Sequence, residues 1–257
     1  MCYDLSFLAK LTAIVQQFPT IEFDEQVQIN YNASMHIVAH SFGEHPIIYQ
    51  NREDQHLHVK LMEWGCIPYY IKDEQAFLKQ RIMMLNARSE RVLGDTSSYW
   101  YKIRNRRCLI PVTGIFEHRK IEKWTKKVPY FIHQKNQDLF FLPGLYSVAE
   151  LPNKETGELE KRWSYTLITR AANDLMKQIH NDGENKWRMP LFLPMDLAKE
   201  WVDSELNSER MQTILNYEMP AADLESWPVF TIRTSKERPD GKQKTEPYVW
   251  EGLTELN

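Results

Sequence analysis

Residues 107–118 read RCLIPVTGIFEH. Apolar side chains run from Cys108 to Phe116, and a short apolar run of this kind reads as a buried strand. Gly114 falls inside that pattern, where glycine signals a bulge or a close backbone approach, and Glu117 sets a carboxylate near the strand's end. Strand-like runs continue on both sides. MHIVAH (35–40), PIIYQN (46–51) and HVKLMEW (58–64) precede it, and VPYFIH (128–133), DLFFLPGLY (138–146) and WSYTLITR (163–170) follow. The first three, divided by Gly, His, Asp and Asn, predict an antiparallel meander. PNKETGELEK (152–161) predicts an exposed turn between the last two.

Helical spacing enters at the margins. Leu5, Leu8, Leu11 or Thr12, Val15 and Phe18 predict an amphipathic helix up to Pro19, which would hold the N-terminus in place. The polar stretch 73–82, SSYWYKIRN (97–105) and TRAANDLMKQIH (169–180) predict further helices, the last starting near Thr169 or Asn173. RMPLFL (188–193) predicts a strand, PMDLAKEWVD (194–203) a helix with Pro194 at its start, and WPVFTIRT (227–234) a late strand. The expected fold is a single α+β domain over residues 1–235, a mainly antiparallel, barrel-like β-sheet with flanking helices. A charged, mobile tail is expected over 236–257.

Composition narrows the function classes. The chain has 257 residues, 42% hydrophobic and 26% charged, which is ordinary for a globular protein. A formal net charge of −3 shows no global basic surplus, so any nucleic-acid contact must come from a local cleft. Cys2, Cys66 and Cys108 form no C-x-x-C pair for zinc or redox work, and they suggest a reducing compartment. No apolar stretch is long enough for a secretory core or a membrane span. A cytoplasmic monomer without metal or cofactor is expected.

Four segments set a polar group beside rigid apolar or proline-containing sequence: WGCIP (64–68), NARSE (86–90), RCLIPVTGIFEH (107–118) and IH…RMPLFL (179–193). With the leading Met1-Cys2, in this order, they resemble the SOS response-associated peptidase family, whose members carry an SRAP domain. The resemblance implies an SRAP-like fold. It implies that Cys2, freed of Met1, cross-links to the aldehyde of an abasic site in single-stranded DNA as a thiazolidine, with possible lyase activity and self-processing as an autopeptidase. Matched block by block, it implies that Cys2, Asn86, Glu117 and His180 carry the chemistry. Arg88, Thr169 and Arg188 are candidate DNA contacts, and so is Trp64, whose first reading is a core or cleft-wall aromatic and whose second is a platform for unpaired bases.

Those residue types suit the task. An α-amine has a reference pKa of about 7.7–8.0 and can attack an aldehyde near neutral pH, after which a thiol on the same residue closes a five-membered ring. Glu117 is expected to move protons, His180 to help open the sugar ring, and Asn86 to orient the amine. Arg88 and Arg188 offer planar forks for phosphate. The clusters Lys102, Arg104, Arg106, Arg107 and Lys120, Lys123, Lys126, Lys127 read as solvated faces. Other readings are a cysteine peptidase acting on protein substrates and a non-covalent binder of single-stranded or modified DNA. Three features depart from the family pattern, which reads Met-Cys-Gly-Arg at its start: Asp4 stands where an arginine faces DNA; seven residues, 181–187, separate His180 from Arg188 and predict a displaced Arg188; and His118 stands where a tryptophan is common.

Overall fold

The computed structural model describes residues 2–153, 156–234 and 236–256. Its strands are β1 (Asp4–Phe7), β2 (Glu22–Phe23), β3 (Ser34–Val38), β4 (Glu44–Gln50), β5 (Leu57–Trp64), β6 (Asn86–Arg88), β7 (Arg107–Val112), β8 (Gly114–Arg119), β9 (Val128–Gln134), β10 (Phe140–Pro152), β11 (Leu159–Ala171), β12 (Arg188–Pro190) and β13 (Leu224–Pro228). Its helices are α1 (Leu11–Gln17), α2 (Glu25–Asn30), α3 (Glu74–Arg81), α4 (Glu90–Leu93), α5 (Tyr99–Lys102), α6 (Asp174–Ile179), α7 (Met195–Trp201) and α8 (Ser208–Leu215).

The run at 107–118 is two strands, divided at Thr113. β7 enters one sheet and β8 another, so this corner joins the two layers. In the first layer β5, β4, β7, β10 and β11 pair in that order, and β11 closes back on β5 in parallel, with Ser164 opposite Glu63 and Tyr165 opposite Trp64. That closure makes the barrel and removes its sheet edges. The second layer has the order β13-β9-β8-β1-β3 and is antiparallel throughout. Gly114 is required by space at the corner: a Cβ there would lie 2.0 Å from Cζ of Phe131. Thr113 fastens the corner to β1 by donating its N–H to the Ser6 carbonyl at 2.8 Å and its hydroxyl to Ser6 Oγ at 3.1 Å.

Three expectations are corrected. Residues 4–7 form a strand, not the first turn of a helix, because β1 is buried along its whole length between β3 and β8 while Leu8 and Val15 of the supposed apolar stripe are exposed. Burying Leu5 and Phe7 stabilises this arrangement by roughly 1.5–3 kcal/mol each. β3 leaves the meander to pair with β1, and only β4 and β5 form the hairpin. The late strand ends at Pro228, the second residue of the run WPVFTIRT (227–234) that was expected to form it. Beyond it Val229 and Ile232 pack irregularly on Phe116 and Phe131.

The charged segment after 236 folds back on the domain instead of projecting from it. Trp250, Leu253 and Leu256 pack against the core, and Trp250 Nε1 donates to the Val229 carbonyl at 2.9 Å. Arg238 is buried, donating to the carbonyls of Gln243, Glu246 and Pro247. The expected turn at 152–161 joins β10 and β11, which pair out to Pro152 opposite Leu159; residues 154 and 155 lie outside the described residues. No described helix is long and apolar enough to cross a membrane.

Candidate active site

β1 lies beside β8 with Asp4 opposite Phe116 and Leu5 opposite Ile115, which sets the residues just before Asp4 alongside Glu117. Cys2 is fully buried there, its thiol donating to the Asp4 carbonyl at 3.6 Å. Asn86 arrives on β6, which adds in parallel to β11 with Asn86 opposite Leu167, and its Nδ2 donates to the Cys2 carbonyl at 3.0 Å. His180 caps the C-terminal end of α6, a helix started by the Asn173 side chain, which accepts from the Met176 N–H. Of the four expected catalytic residues, Cys2 thus lies just before β1, Asn86 starts β6, Glu117 stands within β8 and His180 ends α6.

Glu117 and His180 line a cleft of about 360 Å³ together with Tyr3, Asp4, His118, Lys127, Asp182, Gly183, Glu184, Asn185 and Arg233. Cys2 and Asn86 lie behind that lining. Burial, helped by the negative charge of Asp4, pushes the Glu117 carboxyl up to about 8. Burial, and next the Glu117 carboxylate, holds the Cys2 thiol well above its ordinary value. Burial also pulls His180 down to about 4. Its Nδ1 lies 2.8 Å from the Arg188 carbonyl, which can only accept, so Nδ1 carries the hydrogen and Nε2 the lone pair. Two buried acceptors at this site, Asn86 Oδ1 and Glu117 Oε1, have no hydrogen-bond partner among the described residues. Unsatisfied buried oxygens are uncommon, and two beside one cysteine mark where a donor belongs.

Asp4 does not present a bare charge to the cleft. It is buried, and Arg233 grips its carboxylate with Nε and Nη2 while His36 Nε2 contacts Oδ1 at 2.7 Å. Burial alone would raise the Asp4 carboxyl, but the bonds from His36 and Arg233 outweigh it and hold it below its usual range. Residues 181–187 do not displace Arg188. The Trp187 N–H donates to the His180 carbonyl at 2.8 Å, so the loop closes at its base and bulges outward. Asn181 ties it to both backbone groups of Lys120, Asp182 pairs with Lys127 at 2.9 Å, and Arg88 donates to Asn185 Oδ1 at 3.2 Å.

The four expected DNA-contacting residues divide. Arg88 is exposed and reaches this loop. Arg188 makes a bidentate pair with Glu90, at 2.6 and 3.0 Å, and donates to the Thr169 carbonyl at 2.7 Å. Thr169 is fully buried and serves as that acceptor rather than as a surface group. Trp64 is a core residue and not a platform for DNA bases: it is 0% exposed, stacks on Tyr165, and donates Nε1 to the Leu85 carbonyl. Exposed rings lie nearby in sequence at Tyr69 and Tyr70, clustered with Tyr99. Arg107 is also internal, donating to the carbonyls of Trp201 and Asp203. Sequence reading missed Arg233 and His36, whose only signal was the polar end of an apolar late segment and a histidine inside β3. Among the described residues, metal-ligand spacing occurs at Glu22, Asp54 and His56, which are exposed and outside the cleft.

Comparison with known proteins identifies relatives over nearly the whole chain. A protein of Bacillus subtilis named abasic site processing protein YoqW is 28% identical over 238 residues, covering 91% of this chain and 95% of its own. Abasic site processing protein YobE of the same organism is 29% identical over 240 residues, covering 92% and 98%. A crystal structure of a protein from Bacteroides thetaiotaomicron superposes with a TM-score of 0.76 at 26% identity, over 96% of this chain and 97% of that one. The profile of the SOS response associated peptidase (SRAP) family matches residues 1–232, and the chain belongs to that family.

Proposed function

We propose that this protein captures abasic sites in single-stranded DNA through a covalent thiazolidine at Cys2, once the residue before Cys2 has been removed. The observation that carries this reading is the pair of unpartnered acceptors, Asn86 Oδ1 and Glu117 Oε1, beside a buried N-terminal cysteine. A free Cys2 amine brings new N–H donors to that spot. The names of the relatives, abasic site processing proteins, support abasic sites as the target.

The chemistry then runs through groups with the right protonation at neutral pH. Neutral His180, with its Nε2 lone pair, takes the proton of the C1 hydroxyl as the bond from C1 to the ring oxygen breaks, and returns that proton to the released ring oxygen, leaving the open aldehyde and a neutral His180. The Cys2 amine adds to the aldehyde carbon. Glu117, protonated below about pH 8, gives its proton to the departing hydroxyl, so water leaves and an iminium remains. The Glu117 carboxylate then takes the thiol proton, and the thiolate closes on the iminium carbon as a neutral thiazolidine. Glu117 ends protonated, as it began, and the net loss is one water. Both nucleophiles sit on one residue, so ring closure is intramolecular and gains a large effective concentration.

A cysteine peptidase would need a thiolate at rest, and the raised Cys2 thiol disfavours that. Self-removal of the residue before Cys2 is a single-turnover event to which this objection applies less. Tyr69 and Tyr70 offer exposed rings for unpaired bases. The test is incubation of the matured protein with an abasic oligonucleotide followed by denaturing electrophoresis. A stable adduct lost in Cys2→Ala supports the reading, and an undiminished adduct in Cys2→Ala overturns it.

A further inference from the structure

Arg233 reaches the cleft from the far end of the chain. Its side chain is 47% exposed, while the carboxylate it grips is only 3% exposed. The guanidinium spends Nε and one N–H of Nη2 on Asp4. Nη1 has no hydrogen-bond partner among the described residues, and Arg233 lines the cleft together with Glu117 and His180. Asp4 is held in turn by His36 and by its place in β1, so the cation is fixed from behind. The backbone on either side is fixed as well. Ile232 is buried against Phe116 and Phe131, and Lys244 Nζ donates to the carbonyls of Ile232 and Thr234.

The other cations near the cleft are differently committed. Arg188 is held bidentately by Glu90, Lys127 by Asp182, and Arg88 by the Asn185 side chain. A carboxylate gripped by Nε and Nη2, with Nη1 left unpaired, is an arrangement that pre-orients a fork for phosphate oxygens. Resting on the DNA-capture reading, we propose that Arg233 binds a backbone phosphate next to the reacting sugar, and that the C-terminal segment after 236 serves to hold it there. Asp4 is then a positioning residue for Arg233, and the site is completed by two segments 229 positions apart.

The test uses full-length Cys2→Ala protein, which has no thiol to close a thiazolidine, and a single-stranded oligonucleotide carrying a reduced abasic sugar, which has no aldehyde for an amine to attack, with binding followed by fluorescence anisotropy over a salt series. Each single-strand phosphate contact contributes about 0.7 to the slope of log K against log salt. Arg233→Gln added to this background is expected to lower the slope by about 0.7 and weaken binding by about tenfold or more. Arg233→Lys should keep the slope. Because Arg233→Gln leaves Asp4 short of a partner, Asp4→Asn/Arg233→Gln is measured beside it, with thermal melting as a check on folding. The double variant should lose the same slope. An unchanged slope in the double variant, with the parent still binding, overturns the role of Arg233 alone. Failure of the parent to bind, with no adduct between protein carrying Cys2 and the unreduced abasic oligonucleotide, overturns the DNA reading beneath it.

Discussion

Replacing Glu117 by Gln keeps the shape of the side chain and removes its proton. The Glu117 carboxyl titrates at about 8 in the folded protein against 4.5 for an ordinary glutamate, chiefly because it is buried. Between these values the unfolded chain holds the group deprotonated and the folded protein holds it protonated. Folding therefore takes up a proton, and stability falls as pH rises through this window; below about 4.5 both states are protonated and the slope vanishes. At about 1.4 kcal/mol per pH unit, the native protein should lose on the order of 3 kcal/mol relative to Glu117→Gln between about pH 5 and about pH 7.5. Urea unfolding followed by tryptophan fluorescence at several pH values measures it, with the difference between the two proteins cancelling the other titrating groups. A flat difference curve, or one that rises with pH, would refute both the raised carboxyl and its use as an acid. The same variant should form adduct about 10²–10⁴-fold more slowly, since an amide cannot pass the proton on.

Two further outcomes follow from the same geometry. His180, pulled down to about 4 by burial, stays neutral near pH 7, so His180→Ala should slow adduct formation without removing any limb of the rate profile near pH 6.5. By linkage the native protein should lose stability relative to that variant as pH falls from about 6.5 to about 4; a rate limb near 6.5 that disappears in His180→Ala would show an exposed, ordinary histidine instead. Gly114→Ala would drive a Cβ into the Phe131 ring, which is itself wedged between Phe116 and Trp227. It should cost about 1–3 kcal/mol in a thermal melt and recover in part with Phe131→Leu, whereas additive effects of the two changes would argue against the contact.

Short apolar runs with β-branched and aromatic residues announced β4, β5, β9, β10 and β11, because burial on the barrel leaves them little polar interruption. β1 was illegible. DLSF does alternate polar and apolar residues, but four residues are too short a run to outweigh a chance helical spacing of leucines, and the burial of Asp4 and Ser6 along with Leu5 and Phe7 leaves no trace in the sequence. Gly114 was read as a close approach, and Phe131 is what approaches. That the chain changes sheets at Thr113 depends on partners more than a hundred residues away, which no local pattern carries. The site shows the same division. Ordered blocks pointed to Cys2, Asn86, Glu117 and His180, which meet at one end of β1. For Trp64 the sequence left a core place and a DNA platform both open, because it does not record that Tyr165 covers the ring. Asp4 looked repulsive for a related reason, since its cation stands at Arg233.

The central claim is that both nitrogen and sulfur of Cys2 end on one sugar carbon. Matured protein is reacted with an abasic oligonucleotide, denatured, alkylated at its free thiols, digested with trypsin and nuclease, and measured by mass spectrometry. The N-terminal peptide CYDLSFLAK should carry the sugar fragment with loss of one water and an unalkylated Cys2, while Cys66 and Cys108 are alkylated. An adduct on that peptide with an alkylated Cys2, or one on any other residue, would contradict the account.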